Sequence, residues 1–418
     1  MDRVVRLVGA VVVNAWLTRY LGPDQNGVMN FALAFVGMFT PLAVLGMDAI
    51  VVRDLVRDPE KRDDILGSAF GLRLMGACSA LLFAALAIVA VRPDDTQMQL
   101  LVIISAAGMV FQSFDVIDYW FQSQVQSKYT VYAKNTAFVV IGGAKIAAIL
   151  GSAGLTIFIL LSAAELLVSA AALVIMYRVR GNRVRGWTFR FDRAKALLVN
   201  SWPIIISDLA VFMQARIDQV MIGEYLTNAD VGVYAAAQKI SEPVSVIPMI
   251  IMSSIYPVIV RTKEWSEEEY HRRLTDLYRL MFIISVTVCL PIAVLSGPIV
   301  RVLYGEQFAV SATLLSLLIW TRFYAFFGVA RSIFISTENL FRHALICSVA
   351  GVSVSIIANY LLIRHYGVYG SIIATHLGFL VTIFVVDALS PATKRNFRSM
   401  MTGIVTFYRF RLSPGSRS

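Results

Sequence analysis

An apolar stretch running from Asn200 to Gly223 carries Asp208, Arg216, Asp218 and Gln219. Ionisable groups inside a helix long enough to cross a bilayer are costly, so they pair with one another or face a watered path for a substrate or ion. At about 100° per residue, Asp208, Phe212, Arg216 and Gln219 fall within a sector of about 80°, and Asp218 lies about 80° to the other side of Asp208. The next apolar stretch adds Gln238, Lys239, Ser241 and Glu242, with Gln238 and Glu242 one turn apart. It also holds Pro243, Pro248 and Pro257, each of which removes a backbone donor and favours a bend. Arg322 and Lys145 are further cations deep in apolar segments, Glu165 is a deep acid, and Gln112, Asp115, Asp118 and Gln122 form a polar band. Arg73, Arg279 and Arg331 are expected to snorkel toward segment ends.

Two uses of Arg216, Asp218, Lys239 and Glu242 stand level. They can pair with each other and lock two helices, or they can meet a substrate or ion. Interior cations with amide side chains suit a large anionic, hydroxyl-rich substrate, because a guanidinium grips phosphate bidentately. A drug or ion exporter could carry a similar set.

The elements that must position these residues are membrane helices. Apolar residues make up 58% of the chain, charged residues 15%, and the mean hydropathy is +0.70; a soluble domain is about one quarter charged. Apolar runs of about twenty residues, enough to cross about 30 Å of hydrocarbon, recur at roughly 4–20, 28–52, 65–91, 98–121, 129–150, 154–177, 198–223, 231–260, 277–303, 309–335, 341–363 and 368–389. The expectation is an all-α polytopic membrane protein of 12 transmembrane helices. The first run has no small-residue cleavage site after it and is expected to stay as a helix.

The chain also repeats. Tyr20, Leu21, Gly27 and Val28 recur as Tyr225, Leu226, Gly232 and Val233, and each copy ends one apolar run and opens the next. A weaker pair matches Phe121 to Phe334 and Gly154 to Gly367. Six helices per half is an even number, so two parallel six-helix repeats are expected, the organisation of transporters that carry substrate between repeats. The divisions are an N-terminal lobe over 1–178, a basic linker over 179–195, a C-terminal lobe over 196–390 and a basic tail over 391–418. The run Met400 to Tyr408 is too short to span; an interfacial helix and disorder are both open for it.

The net charge is +10, from 37 Lys plus Arg against 27 Asp plus Glu. With the N-terminus in the cytoplasm, loop residues such as Arg53, Arg57, Lys61, the Arg178–Lys195 stretch and the tail fall inside; only Arg19, Arg92, Arg301 and Arg364 fall outside. That asymmetry places both termini in the cytoplasm. Topology and anionic lipid contact account for these charges, and nothing calls for nucleic acid. Cys78, Cys289 and Cys347 lie in apolar runs and are read as packing residues, and the four histidines form no pair at ligand spacing. No GxSxG, P-loop, HExxH or GxGxxG motif occurs, so no catalysis, cofactor or metal is expected.

Several longer stretches carry a family resemblance: TRYLGPDQNGVMNFALAF from Thr18, LGMDAIVVRDLVRDPEKRDDILG from Leu45, DYWFQSQVQSKY from Asp118, NSWPIIISDLAVFMQARIDQVMIG from Asn200 and VGVYAAAQKISEPVSVIPMIIMSSIYPVI from Val231. On these the chain resembles the polysaccharide and O-antigen flippases (Wzx-like) of the multidrug/oligosaccharidyl-lipid/polysaccharide exporter superfamily. The resemblance implies a V-shaped pair of six-helix lobes in the cell inner membrane. It implies a substrate of undecaprenyl-pyrophosphate-linked oligosaccharide, flipped from the cytoplasmic to the periplasmic leaflet without bond chemistry. By the same resemblance Arg216, Asp218, Gln219 and Glu242 fall on the family's polar positions, while Gln238-Lys239 departs from the hydrophobic-basic pair expected there. The first helix begins late against typical members. Coupling to a proton or sodium gradient is left open, with Asp208, Asp218 or Glu242 as carriers. Membrane lipids and a polysaccharide polymerase or assembly complex are the partners to be expected. The alternatives are a multidrug or small-cation antiporter of the same superfamily and, from another class, a polysaccharide polymerase or ligase; the short outside loops speak against the last.

Overall fold

The computed structural model describes residues 2–409, which are helical with no strand among them. Arg411 and Arg417 of the basic tail lie outside the described residues. The helices used below are α1 (Asp2–Gly37), α2 (Thr40–Val44), α3 (Asp48–Arg57), α4 (Arg62–Val91), α5 (Thr96–Gly108), α6 (Val116–Ser123), α7 (Lys128–Leu150), α8 (Leu155–Val179), α9 (Phe191–Tyr225) and α10 (Asn228–Ser241). They continue with α11 (Val246–Trp265), α12 (Glu267–Val294), α13 (Ser296–Tyr304), α14 (Ala309–Leu318), α15 (Thr321–Thr337), α16 (Phe341–Leu380), α17 (Val386–Leu389) and α18 (Lys394–Val405). Among the described residues, nine helical stretches are long and apolar enough to cross a membrane, or ten if the pair Val11–Gly37 and Thr40–Arg57, bent by 47°, counts as one span. The chain is therefore a multi-pass membrane protein.

Each of the twelve apolar runs is helical over most of its length, but fewer spans are counted because α1 and α16 each join two helices across a glycine. α1 passes through Gly22 (φ 69°, ψ 175°) and α16 through Gly367 (φ 57°, ψ −139°). These angles suit glycine, which has no Cβ to clash, and Pro23 beside Gly22 removes a further donor. The 40 residues of α16 are two helices joined at Gly367, where the chain turns back so that Gly370 packs against the backbone of Leu362; that is enough helix to cross a hydrocarbon core twice.

The repeated Tyr-Leu turn is a helix boundary in both places. The first copy breaks at Gly22; the second ends α9 at Tyr225 and starts α10 with a capping box between Thr227 and Asp230. Each tyrosine anchors its turn within its own unit. The Tyr20 hydroxyl donates to the Ala153 carbonyl (3.0 Å), just before Gly154, and Tyr225 packs edge-on to Tyr360 (6.0 Å), with Arg364 stacked over both rings, just before Gly367.

The chain divides into two compact units, one ending at Gly223 and the other beginning at Glu224. In the first, α7 packs on α8, α4 on α5 and α2, and α3 on α6. Its core includes Met47, Val51, Leu55, Leu66, Val116, Ile117, Phe121 and Tyr177, and takes in Ala194 and Leu197 of α9. The basic linker is fastened down here: the Thr188 N–H donates to the Asp63 carbonyl (3.2 Å) and the Arg190 N–H to Ser68 Oγ (3.1 Å). The linker and α9 up to Gly223 thus belong with the first unit.

In the second unit α12 packs on α11, α15 and α18, and α10 on α14. The core is aromatic: Tyr278 stacks on Phe327 (5.7 Å), and Phe323, Phe327 and Phe384 form one cluster. Pro243 falls in a short 3-10 turn, Glu242–Ser245, which separates α10 from α11. Part of the tail, left open between an interfacial helix and disorder, forms α18. Asn396, Ser399, Met400 and Gly403 are buried against α12, and Asn396 Oδ1 accepts from the Tyr278 hydroxyl (3.0 Å).

Arg331 corrects one expectation. It does not snorkel but is 6% exposed, and its guanidinium forks onto Asp387, Nε to Oδ2 at 2.6 Å and Nη2 to Oδ1 at 2.7 Å. His343 Nε2 meets the same Oδ1 (2.7 Å), and Thr393 Oγ1 donates to the Asp387 carbonyl (3.0 Å). The Asp387 carboxylate therefore ties α17 to α15 and α16, and the carbonyl of the same residue holds the turn into the tail. Removing one partner of a buried pair costs about 3–5 kcal/mol, because the other charge is stranded, whereas replacing both with apolar groups is often nearly neutral. Arg331→Met or Asp387→Leu alone should lower the melting temperature in detergent sharply, and the double variant should recover most of that loss.

Candidate functional site

The polar side chains of α9 line up against the bend between α1 and α3. The Arg216 side chain runs alongside Gly37, its Cγ 3.5 Å from where a Cβ on that glycine would stand. Two turns earlier, Asp208 Oδ2 comes to 3.5 Å from the corresponding point on Gly46, within electrostatic reach of Asp48. Arg216 and Asp208 are half-buried, while Asp218 and Gln219 are each 4% exposed. The helical spacing that set Asp208 and Arg216 on one face thus puts both on the two sides of a broken span.

Behind them lies a charged network that sequence reasoning missed. Arg73, taken for a snorkelling residue, is 1% exposed in the middle of α4. Its guanidinium donates to the Tyr119 hydroxyl, which donates in turn to Asp48. Arg73 also lies 3.9 Å from Asp48 and 3.7 Å from Asp115, and Lys134 lies 3.7 Å from Asp115 and 3.4 Å from Asp118. The polar band of α5–α6 is thus the acidic side of this network. The missed signal was position: Arg73 is eleven residues into its helix, well past the reach of a snorkelling side chain at the helix start. Arg279, the third arginine of that set, pairs with Asp276 (2.6 Å) and donates to Thr406 Oγ1 (2.9 Å).

Lys145 and Glu165 find each other across α7 and α8 at 3.0 Å, beside a cavity of about 110 Å³ lined also by Val13, Asn14, Phe138 and Gly142. In the second unit Gln238, 8% exposed, donates to Glu242 Oε1 (3.5 Å), and Lys239 is half-buried. Arg322 donates to Ser245 Oγ (3.2 Å) and lies within electrostatic reach of Glu242. So Glu242, Gln238 and Arg322 gather at the turn between α10 and α11. Of the sequence-derived candidates, Asp208 and Arg216 share one environment, Gln238, Glu242 and Arg322 a second, and Lys145 stands in a third.

His343, Cys347 and Asp387 bring three metal-type ligand atoms within 4.8 Å of one another. The spacing of His343 and Cys347, one helical turn, escaped the sequence reading. Asp387 is already engaged at both oxygens by Arg331, so the group is organised as an ion-pair lock.

Comparison with known proteins identifies the class. A family profile described as polysaccharide biosynthesis protein matches residues 4–263, and one described as MatE matches residues 203–361. A probable low-salt glycan biosynthesis flippase, Agl15, of Haloferax volcanii is 23% identical over 221 residues, covering 52% of this chain and 46% of that protein. The chain therefore spans about half the length of that relative. A putative O-antigen transporter of Shigella flexneri is 22% identical over 71% of this chain and 73% of its own. Among solved structures, an inward-facing multidrug resistance MATE family transporter of the MOP superfamily superposes with TM-score 0.70 at 15% identity, covering 97% of this chain and 95% of its own. Lipid II flippase MurJ, in an inward closed conformation, does so with TM-score 0.64 at 12% identity, covering 97% and 92%. The fold is MATE-like, and the chain belongs to the polysaccharide biosynthesis protein family.

The Arg73 network makes a checkable contrast. Arg73→Gln removes the hydrogen bond to Tyr119, leaves Asp48 without its cation and Asp115 with Lys134 alone, and should cost about 2 kcal/mol. Arg279→Gln, which leaves a partly exposed Asp276 one helical turn away, should cost about 1 kcal/mol. Denaturation of the two purified variants beside the unmodified protein reads the difference; equal losses would mean that the Arg73 network is not a lock.

Proposed function

We propose that this member of the polysaccharide biosynthesis protein family flips undecaprenyl-pyrophosphate-linked oligosaccharide from the cytoplasmic to the periplasmic leaflet of the cell inner membrane. The observation that carries the reading is the polar face of α9: Asp208 and Arg216, half-buried, set against a broken span in a helix otherwise apolar enough to lie in lipid. A large hydrophilic head needs a wet path with cations in it, while its lipid tail stays in the bilayer. Arg216, with Gln219 on the same face, would grip the pyrophosphate as a bidentate fork. The family match and the glycan-flippase and O-antigen-transporter names of its relatives support the substrate class.

Twelve spans in two parallel six-helix repeats complete the proposal. The breaks at Gly22 and Gly367, each anchored by the repeated tyrosine of its own unit, support that count, as does the length of α16. Alternating access between the halves would move the head across. Asp208 is the preferred carrier if a proton or sodium gradient drives the cycle, with Asp218 and Glu242 behind it. Both termini are taken as cytoplasmic from the distribution of arginine and lysine. A polysaccharide polymerase or assembly complex would receive the product.

The MatE match over 203–361 and the MATE-like fold favour a second reading, a multidrug or small-cation antiporter. The two part in a deletion strain: the flippase reading gives lost surface polysaccharide with an intact polymerase, and the exporter reading gives accumulated cationic dye.

Arg216→Lys tests the site. A point charge cannot replace a bidentate fork, so the variant, at equal expression, should restore surface polysaccharide about tenfold less well than the natural chain. Full complementation would assign Arg216 to ion pairing alone.

A further inference from the structure

The turn that leaves α8 holds a concavity of about 490 Å³ lined by Arg178, Gly181, Asn182, Arg183, Val184 and Arg185. We propose that it binds a phosphate group carrying one or two negative charges, on a soluble pyrophosphate or on a phospholipid head.

Several of the charges nearby are already paired. Arg62 is engaged by Asp63 (2.8 Å) and by Asn182 Oδ1 (2.9 Å), Arg190 by Asp64 (3.0 Å) and Arg193 by Asp58 (3.9 Å). Asp58, Asp63 and Asp64 are thus taken up by arginines outside the concavity. Arg178, Arg183 and Arg185 are exposed, and among the described residues none of them has an acidic partner. Arg178 sits in the last turn of α8, where the helix dipole supplies about half a negative charge. Arg183 and Arg185 lie beyond the helix and have no such compensation.

Topology alone accounts for basic residues at a membrane face; it does not account for their gathering round one hollow while Arg62, Arg190 and Arg193 nearby are each paired with an acid and Arg180 stacks on Tyr129. Three guanidinium forks on one rim match the oxygen geometry of phosphate. The loop bearing them is held at its far end by Thr188 and Arg190 on α4, so the rim is a fixed part of the first unit. The site does not depend on the flippase reading, since its ligand is defined by charge and geometry.

The test uses the full chain in nanodiscs of phosphatidylcholine, titrated with inorganic pyrophosphate at low salt, and native mass spectrometry after addition of phosphatidylglycerol. The variant Arg178→Gln/Arg183→Gln/Arg185→Gln is set beside a control of equal charge loss, Lys394→Gln/Arg398→Gln/Arg409→Gln, and a milder Arg183→Gln/Arg185→Gln that leaves the helix end intact. Pyrophosphate affinity about tenfold or more weaker in both loop variants, with the control unchanged, supports a soluble phosphate. No pyrophosphate binding, but phosphatidylglycerol retention lost only in the loop variants, supports a phospholipid head. If neither probe binds, or the control loses binding as far as the loop variants do, the proposal is overturned.

Discussion

Every charge carried into the apolar interior of this chain needs a compensating partner, and the packing of both units follows from that constraint. Arg73 in the first and Arg331 in the second are nearly inaccessible cations, each surrounded by groups drawn from several helices. In a low-dielectric setting the cost of an uncompensated ion far exceeds that of an imperfect apolar contact. These two arginines therefore fix which helices can be neighbours more firmly than the surrounding leucines and alanines do. The apolar side chains on the outer faces, such as Leu86 at 59% exposure and Val139 at 68%, have only to match lipid.

The helical content and the positions of the apolar runs were legible because they depend on local composition. So were the break at the repeated Tyr-Leu turn and the interruption at Pro243, which follow from glycine and proline chemistry. The number of spans was less legible. A glycine at positive φ can join two helices with no loop between them, and Gly22 and Gly367 do this, so two helices follow each other without a polar gap in the sequence. Arg73 and Arg331 were misread because periodicity says how far a residue lies along a helix but not which acids another helix brings to it. Asp48 and Asp387 come from segments 25 and 56 positions away in sequence. The neighbourhood of Asp208 and Arg216 was legible as a helical face; that this face meets the bend after α1 was not, since only tertiary packing sets it.

The polar groups thus fall into two kinds. One kind forms closed sets of partners that hold helices together, as around Arg331. The other lines surfaces where helices break, as Asp208 and Arg216 do along α9. A transporter needs both, because a rigid unit can rock only if its own interior is locked. The flippase reading follows from placing the cargo with the second kind.

The most direct test of that reading is translocation itself. The purified protein would be reconstituted in vesicles with a fluorescent undecaprenyl-pyrophosphate-linked oligosaccharide, and the fraction shielded from a membrane-impermeant quencher followed in time. The account predicts that the accessible fraction changes with time in vesicles containing the protein and stays constant in protein-free vesicles. Equal behaviour in both, with cationic dye uptake only where the protein is present, would contradict it.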